Sequence, residues 1–127
     1  MTYPPKLYNT YGKYSTMNFE YYKSALNAAI IRHLSIMIGR GWIDELASQL
    51  ADEINTILGK TVVTPTDIKN YFTKLYQYAN DKIPQNGYYD SRIPRTHRLI
   101  LRDKLFYSVQ RVSSELIKFI KSKYENV

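Results

Sequence analysis

The chain has 127 residues, two histidines, no cysteine and a formal charge of +7. Without cysteine it has no disulfides, thiolate metal sites or cysteine nucleophiles, and His33 and His97 alone give no zinc-ligand spacing. Its length suits one domain with a real core; the longest apolar run, Ala28–Ile38, is broken by Arg32, His33 and Ser35 and is too short to span a bilayer.

Residues 1–16 read as an extended arm. They hold Tyr3, Tyr8, Tyr11 and Tyr14, Pro4-Pro5, Lys6 and Lys13, and no acidic side chain. They show neither helical nor strand periodicity, nor the apolar stretch behind a basic start that marks a signal peptide, which points to a cytoplasmic site of synthesis. They are also too aromatic for an ordinary solvated tail. Tyrosines interleaved with lysines suit a surface lying along an anion: cations for phosphates, rings for stacking, hydroxyls for hydrogen bonds. The same arm packed on its own domain or on a neighbouring subunit is the alternative.

Four helices are expected after it, over about 18–38, 42–58, 65–79 and 96–124. In the first, Phe19, Tyr22, Leu26, Ile30, His33 and Met37 recur at steps of three and four and share a face. Ile31, Leu34, Ile36 and Ile38 widen that face, as in a helix central to a bundle or buried against another subunit. His33 on this stripe reads as a hydrogen-bonded core residue. Gly39-Arg40-Gly41 is the expected stop. The second helix carries Ile43, Leu46, Leu50, Ile54, Ile57 and Leu58 inward, has Asp44 and Glu45 in its first turn where the dipole favours anions, and stops at Gly59. The third opens on Thr64-Pro65-Thr66-Asp67, a natural N-cap followed by proline at the first helical position; Ile68, Phe72, Leu75 and Ala79 face in. Thr61-Val62-Val63 is too short for a strand. Residues 80–96, with Pro84, Asn86-Gly87 and Pro94, form a loop long enough to be functional or disordered. The last helix has Leu105, Val109, Val112, Leu116 and Ile120 on its face, flanked by Phe106 and Phe119.

Charge is uneven: residues 1–16 carry +2, 17–58 carry −2, 59–80 carry +2 and 81–127 carry +5. That asymmetry favours a polyanionic partner, nucleic acid first and an anionic membrane surface second. The strongest constellation is Arg92, Arg95, Arg98 and Arg102 at the start of the last helix, where guanidinium groups suit bidentate phosphate contacts. Pairing with helix C-termini or with Asp44, Glu45, Asp52 and Glu53 is the alternative. His97 lies within this cluster. Lys104, Arg111 and Lys118, seven apart, read as a solvated face. Asp44-Glu45 and Asp52-Glu53 are neighbours pointing about 100° apart on a helix and would not clamp one metal. There is no Ser–His–Asp set, P-loop or GxGxxG, so neither catalysis, a cofactor nor a small-molecule substrate is expected.

Two resemblances carry the nucleic-acid reading further. The segment Gly41-Trp42…Leu46-Ala47…Leu50…Ile54-Asn55…Gly59…Thr64-Pro65…Ile68-Lys69-Asn70…Leu75 resembles a Myb/SANT-type helix-turn-helix. That likeness implies a transcriptional regulator reading the major groove with Lys69, Asn70, Thr73, Lys74 and Gln77. The whole layout, with Tyr11-Gly12-Lys13-Tyr14 in a Tyr/Lys/Pro arm ahead of a helical unit, resembles the major capsid proteins of filamentous and rod-shaped archaeal viruses. That resemblance implies coat subunits, paired with themselves or with a paralogous subunit, that wrap double-stranded DNA, hold it in A-form and polymerise into a helical virion. The expectation is an all-α four-helix bundle with an extended N-terminal arm. Lys6, Tyr8, Tyr11, Lys13, Tyr14, Arg92, Arg95, Arg98 and Arg102 would contact DNA, with Lys69 and Lys74 as secondary contacts.

Overall fold

The computed structural model describes residues 15–40, 43–79 and 91–126. The arm residues Lys6, Tyr8, Tyr11, Lys13 and Tyr14, the Gly41-Trp42 step and residues 80–90 of the expected loop lie outside them. Regular structure among the described residues is all helical: α1 (Ser15–Arg40), α2 (Ile43–Leu58), α3 (Pro65–Tyr78) and α4 (Arg95–Glu125). Helix α1 begins three residues before the expected Asn18, so Ser15 and Thr16 are helical. It also runs through Gly39, because a glycine in a last turn costs only about 1 kcal/mol against alanine.

Local chemistry explains the ends. Gly59 sits at φ +75°, the left-handed geometry that terminates a helix, and its N–H donates to Asn55 O at 2.9 Å. Thr64 and Asp67 form a reciprocal capping box: Asp67 N–H donates to Thr64 Oγ1 at 3.2 Å, and Thr64 N–H donates to Asp67 Oδ2 at 3.0 Å. Between these ends Val62 and Val63 are buried in non-strand backbone. Asn55 supplies what a partner strand would: its Oδ1 accepts from Val62 and Val63 N–H at 2.8 and 3.1 Å, and its Nδ2 donates to Val63 O at 3.0 Å.

Helix α1 packs on α2 and α4, and α3 packs on α2 and α4. The core takes Phe19, Leu26, Ile30, Leu34 and Met37 from α1, Leu50 and Ile54 from α2, Ile68, Phe72 and Leu75 from α3, and Leu105, Val112, Leu116 and Ile120 from α4, each fully buried. Burial of each such side chain contributes about 1.5–3 kcal/mol before entropic costs. The width expected for α1 is met only in part, since Leu34 and Ile38 are buried whereas Ile36 and Tyr21 stand exposed.

Two packing registers place the candidate site. Helices α1 and α4 are antiparallel: Phe19 stacks on Tyr124, Lys121 pairs with Glu20 at 3.6 Å, and Ser113 Oγ donates to Asn27 Oδ1 at 2.7 Å. Carried along both helices, this register sets Arg40, the end of α1, beside Leu101. The first six residues of α4 therefore project past α1. Helix α3, in contrast, does not fold back from the end of α2. Pro65, Thr66 and Lys69 lie against Asp44, Ala47 and Ser48 in the first half of α2, about ten residues before the chain leaves that helix. Residues 59–64 span that ~15 Å, within the ~20 Å that six extended residues reach.

Candidate nucleic-acid interface

The projecting start of α4 concentrates positive charge. Pro94 caps it without a side-chain hydrogen bond, and its first turn holds no acidic residue. In place of an acid the sequence supplies Arg92 and Arg95, both exposed, and Arg98, half-buried, whose Nη2 donates to Ile93 O at 3.3 Å. A helix N-terminus already carries about half a positive charge, so cations here oppose the dipole. The arrangement costs stability and strengthens a field that attracts anions. Among the described residues Arg102, one turn on, pairs with its neighbour Asp103 at 3.6 Å, both side chains about half or more in solvent, a pairing worth little. Arg95, Arg98 and Arg102 lie on the first turns of α4, and Arg92 lies three residues before it. The acids of α2 are partly engaged elsewhere: Asp44 pairs with Lys69 at 2.7 Å, and Glu53 accepts both contacts of the Arg32 guanidinium.

Apolar side chains share this stretch, which composition alone did not single out. Leu99 is 44% exposed, Ile100 49%, Phe106 50% and Tyr107 91%. Arg95, Leu99, Arg102 and Phe106 are spaced by four, three and four and form one seam of the helix. The same side continues through Val109, Ser113 and Ile117, which are buried. Phe106, read from the sequence as flanking the core, thus stands half in solvent, whereas Phe119 packs against Tyr71 at 5.4 Å.

The secondary contacts are placed differently. Lys69 is held by Asp44, and Lys74 sits 3.9 Å from Glu115 and 4.6 Å above the Tyr71 ring. Both keep a large part of their side chains in solvent, but each already has an internal counter-charge. Glu115 is the hub of that second cluster: it accepts the Tyr78 hydroxyl at 2.7 Å and faces Arg111 Nε at 3.4 Å, while the Arg111 guanidinium lies 3.6 Å over the Tyr78 ring. The hydrogen bond from Tyr78 holds the Glu115 carboxyl below its ordinary range, and the same bond pushes the Tyr78 phenol up. Of the row expected to be solvated, Arg111 is therefore structural at one edge, while Lys104 and Lys118 are exposed.

His33 is buried with Nδ1 2.8 Å from Ala29 O and Nε2 3.9 Å from Glu53, a packed polar residue of α1. Among the described residues no group of three or more His, Asp or Glu is placed to hold a metal ion, and no helix is long and apolar enough to cross a membrane. The chain matches no family model, no curated protein and no solved structure.

Proposed function

We propose that this protein is a structural DNA-coating subunit: a four-helix bundle with an extended N-terminal arm that binds double-stranded DNA without sequence preference and polymerises on it into a helical nucleocapsid, as a virion coat protein made in a host cytoplasm. One observation carries the reading. Arg95, Arg98 and Arg102 lie on a helix start whose first turn holds no acidic residue, and Arg92 lies just before it. Arginines placed against the helix dipole make sense when a polyanion adds negative charge there. Base-reading geometry is not needed for such contacts, because phosphates position a protein without reporting sequence. The arm's Lys6, Tyr8, Tyr11, Lys13 and Tyr14 would add contacts to DNA or to an adjacent subunit, and Lys69 and Lys74 would exchange their internal partners for phosphate. No catalysis, cofactor or small-molecule substrate enters this function.

The test is duplex binding across a salt series with Arg95→Ala/Arg98→Ala/Arg102→Ala. Affinity should fall for all sequences alike, and the slope of log K against log salt should flatten by about 2.7 for three lost phosphate contacts. Unchanged binding would sink the reading. Truncation of residues 1–14 should leave a folded protein that no longer forms filaments with linear DNA under the electron microscope.

A helix-turn-helix regulator is the second reading. It is favoured by the way α3 starts against the first half of α2 with Lys69, Asn70 and Gln77 exposed along its length. A loss of binding confined to one operator sequence after Asn70→Ala would support it.

A further inference from the structure

The charge of this chain is segregated as well as large. Helix α2 carries Asp44, Glu45, Asp52 and Glu53 and no basic residue. With Asp44 taken by Lys69 and Glu53 by Arg32, Glu45 and Asp52 remain on its outer face, making no ion pair with another described residue. Gln49 lies between them. Glu45 and Gln49 also edge an open groove lined by Ile36, Leu46 and the Arg40 side chain.

The outer face of α4 is the counterpart. Lys104, Tyr107 and Arg111 follow at steps of three and four, lining one side of a groove closed by Tyr78 and Ala79. Among the described residues Tyr107 is the most exposed large apolar or aromatic side chain, at 91%. Lys104 makes no ion pair with a described residue, and the single acid near Arg111 is Glu115, shared with Lys74.

We infer that the outer face of α4 docks on the outer face of α2 of a second copy, with Tyr107 seated in the Ile36–Leu46 groove. The two stripes have the same spacing read in opposite directions. Laid antiparallel, Lys104 meets Asp52, Tyr107 meets Gln49 and Arg111 meets Glu45, over a rise of about 10.5 Å on each helix. Opposite charges pair at both ends, and the exposed ring finds apolar walls in the middle, as in interfaces where an aromatic anchor is ringed by polar contacts. The N-terminal arm is a poorer occupant of this face, since its charges are both positive. DNA would neutralise Lys104 but offers no apolar groove for Tyr107.

Helices α2 and α4 each pack chiefly on α1 and α3 within the molecule. Each copy presents a cationic face, in which Lys104 makes no ion pair with a described residue and Arg111 pairs with Glu115, and an acidic face of Glu45 and Asp52. The contact is head-to-tail. Such heterologous contacts generate rings or open helical arrays instead of closed pairs. The inference deepens the self-assembly half of the function proposed above, and it needs no DNA.

The experiment is sedimentation velocity of the full-length protein at low salt without nucleic acid. Wild type should associate with rising concentration and dissociate in high salt. Lys104→Glu and Asp52→Lys should each weaken association at least about tenfold, and Lys104→Glu/Asp52→Lys in one chain should restore it, because the exchanged charges meet again. Tyr107→Ala should weaken association at any salt. The inference is overturned if wild type stays monomeric at low salt, if the single variants associate like wild type, or if the double variant does not recover. Single variants that keep self-association but lose duplex DNA would reassign this stripe to DNA. Failure of DNA-dependent filaments with self-association intact would instead count against the coat reading alone.

Discussion

The two halves of α4 have the same secondary structure and opposite surroundings. From Leu105 to Ile120 the helix is clasped by α1 and α3, and Leu105, Val112, Leu116 and Ile120 are fully buried. From Arg95 to Ile100 it buries nothing completely, carries arginine where helices favour acid, and holds Leu99 and Ile100 about half in water. One half is built for stability and the other at its expense. Under the function proposed above, a polyanionic partner would offset that unfavourable arrangement.

The comparison breaks most clearly on paired truncations. Leu116→Ala should destabilise by about 2–5 kcal/mol through a buried cavity, measured as the midpoint of urea unfolding. Leu99→Ala, one seam away in the projecting half, should change stability by less than about 0.5 kcal/mol; equal costs would show that the projecting half is covered by its own chain. Arg95→Glu should move two properties in opposite directions. It restores an acid to the first turn and should raise stability by about 0.3–1 kcal/mol at low salt, while weakening affinity for duplex DNA. A gain in both, or a loss in both, would remove the argument from the helix dipole.

The smallest effect belongs to the clasped half. Glu115 is held below its ordinary pKa, chiefly by the Tyr78 hydroxyl. A carboxylate lowered in the folded state contributes stability that is fully present above its unfolded pKa, about 4.3, and that is lost as pH falls through the lower folded value. Glu115→Gln should therefore make the protein slightly less stable than wild type at neutral pH and equal to it well below about pH 4, flattening the acid limb, with a small difference because the cluster is solvent-accessible. An unchanged acid limb would show that Glu115 does not organise the Tyr78, Arg111 and Lys74 side chains.

Much of this architecture was legible from residue spacing. The stripes of α2, α3 and α4, the glycine stop at Gly59 and the Thr64-Pro65 cap each rest on chemistry local to a few residues, so periodicity and capping rules reach them. What escaped depends on neighbours distant in sequence. Ala29, Ala47 and Ala51 are buried, yet alanine is equally at home on either side of a helix. Tyr76 is 1% exposed although its hydroxyl suggests a surface position. The linker's order comes from one asparagine side chain eight residues upstream, which no turn rule anticipates. At the candidate site the arginine cluster could be located because its residues lie within eleven positions of the sequence, three of them on successive turns of α4. That Lys69 faces Asp44 and Lys74 faces Glu115 could not, since those acids lie 25 and 41 residues away in the chain.

The hydrogen bond from Ser113 to Asn27 has a consequence for dimension. It is a polar pair between α1 and α4, beside the apolar contacts and the Lys121–Glu20 ion pair of the same seam, and a slip of either helix by one turn, ~5.4 Å, would leave both groups without their partner. Such pairs select one axial alignment out of several that apolar packing tolerates. The pair thus acts as a ruler for the molecule. It meters how many residues of α4 reach beyond Arg40, although it sits ~20 Å from the end whose length it determines. Replacing both groups with apolar residues would leave the helices packed but free to choose their offset, and the reach of the arginines toward any partner would cease to be a single length.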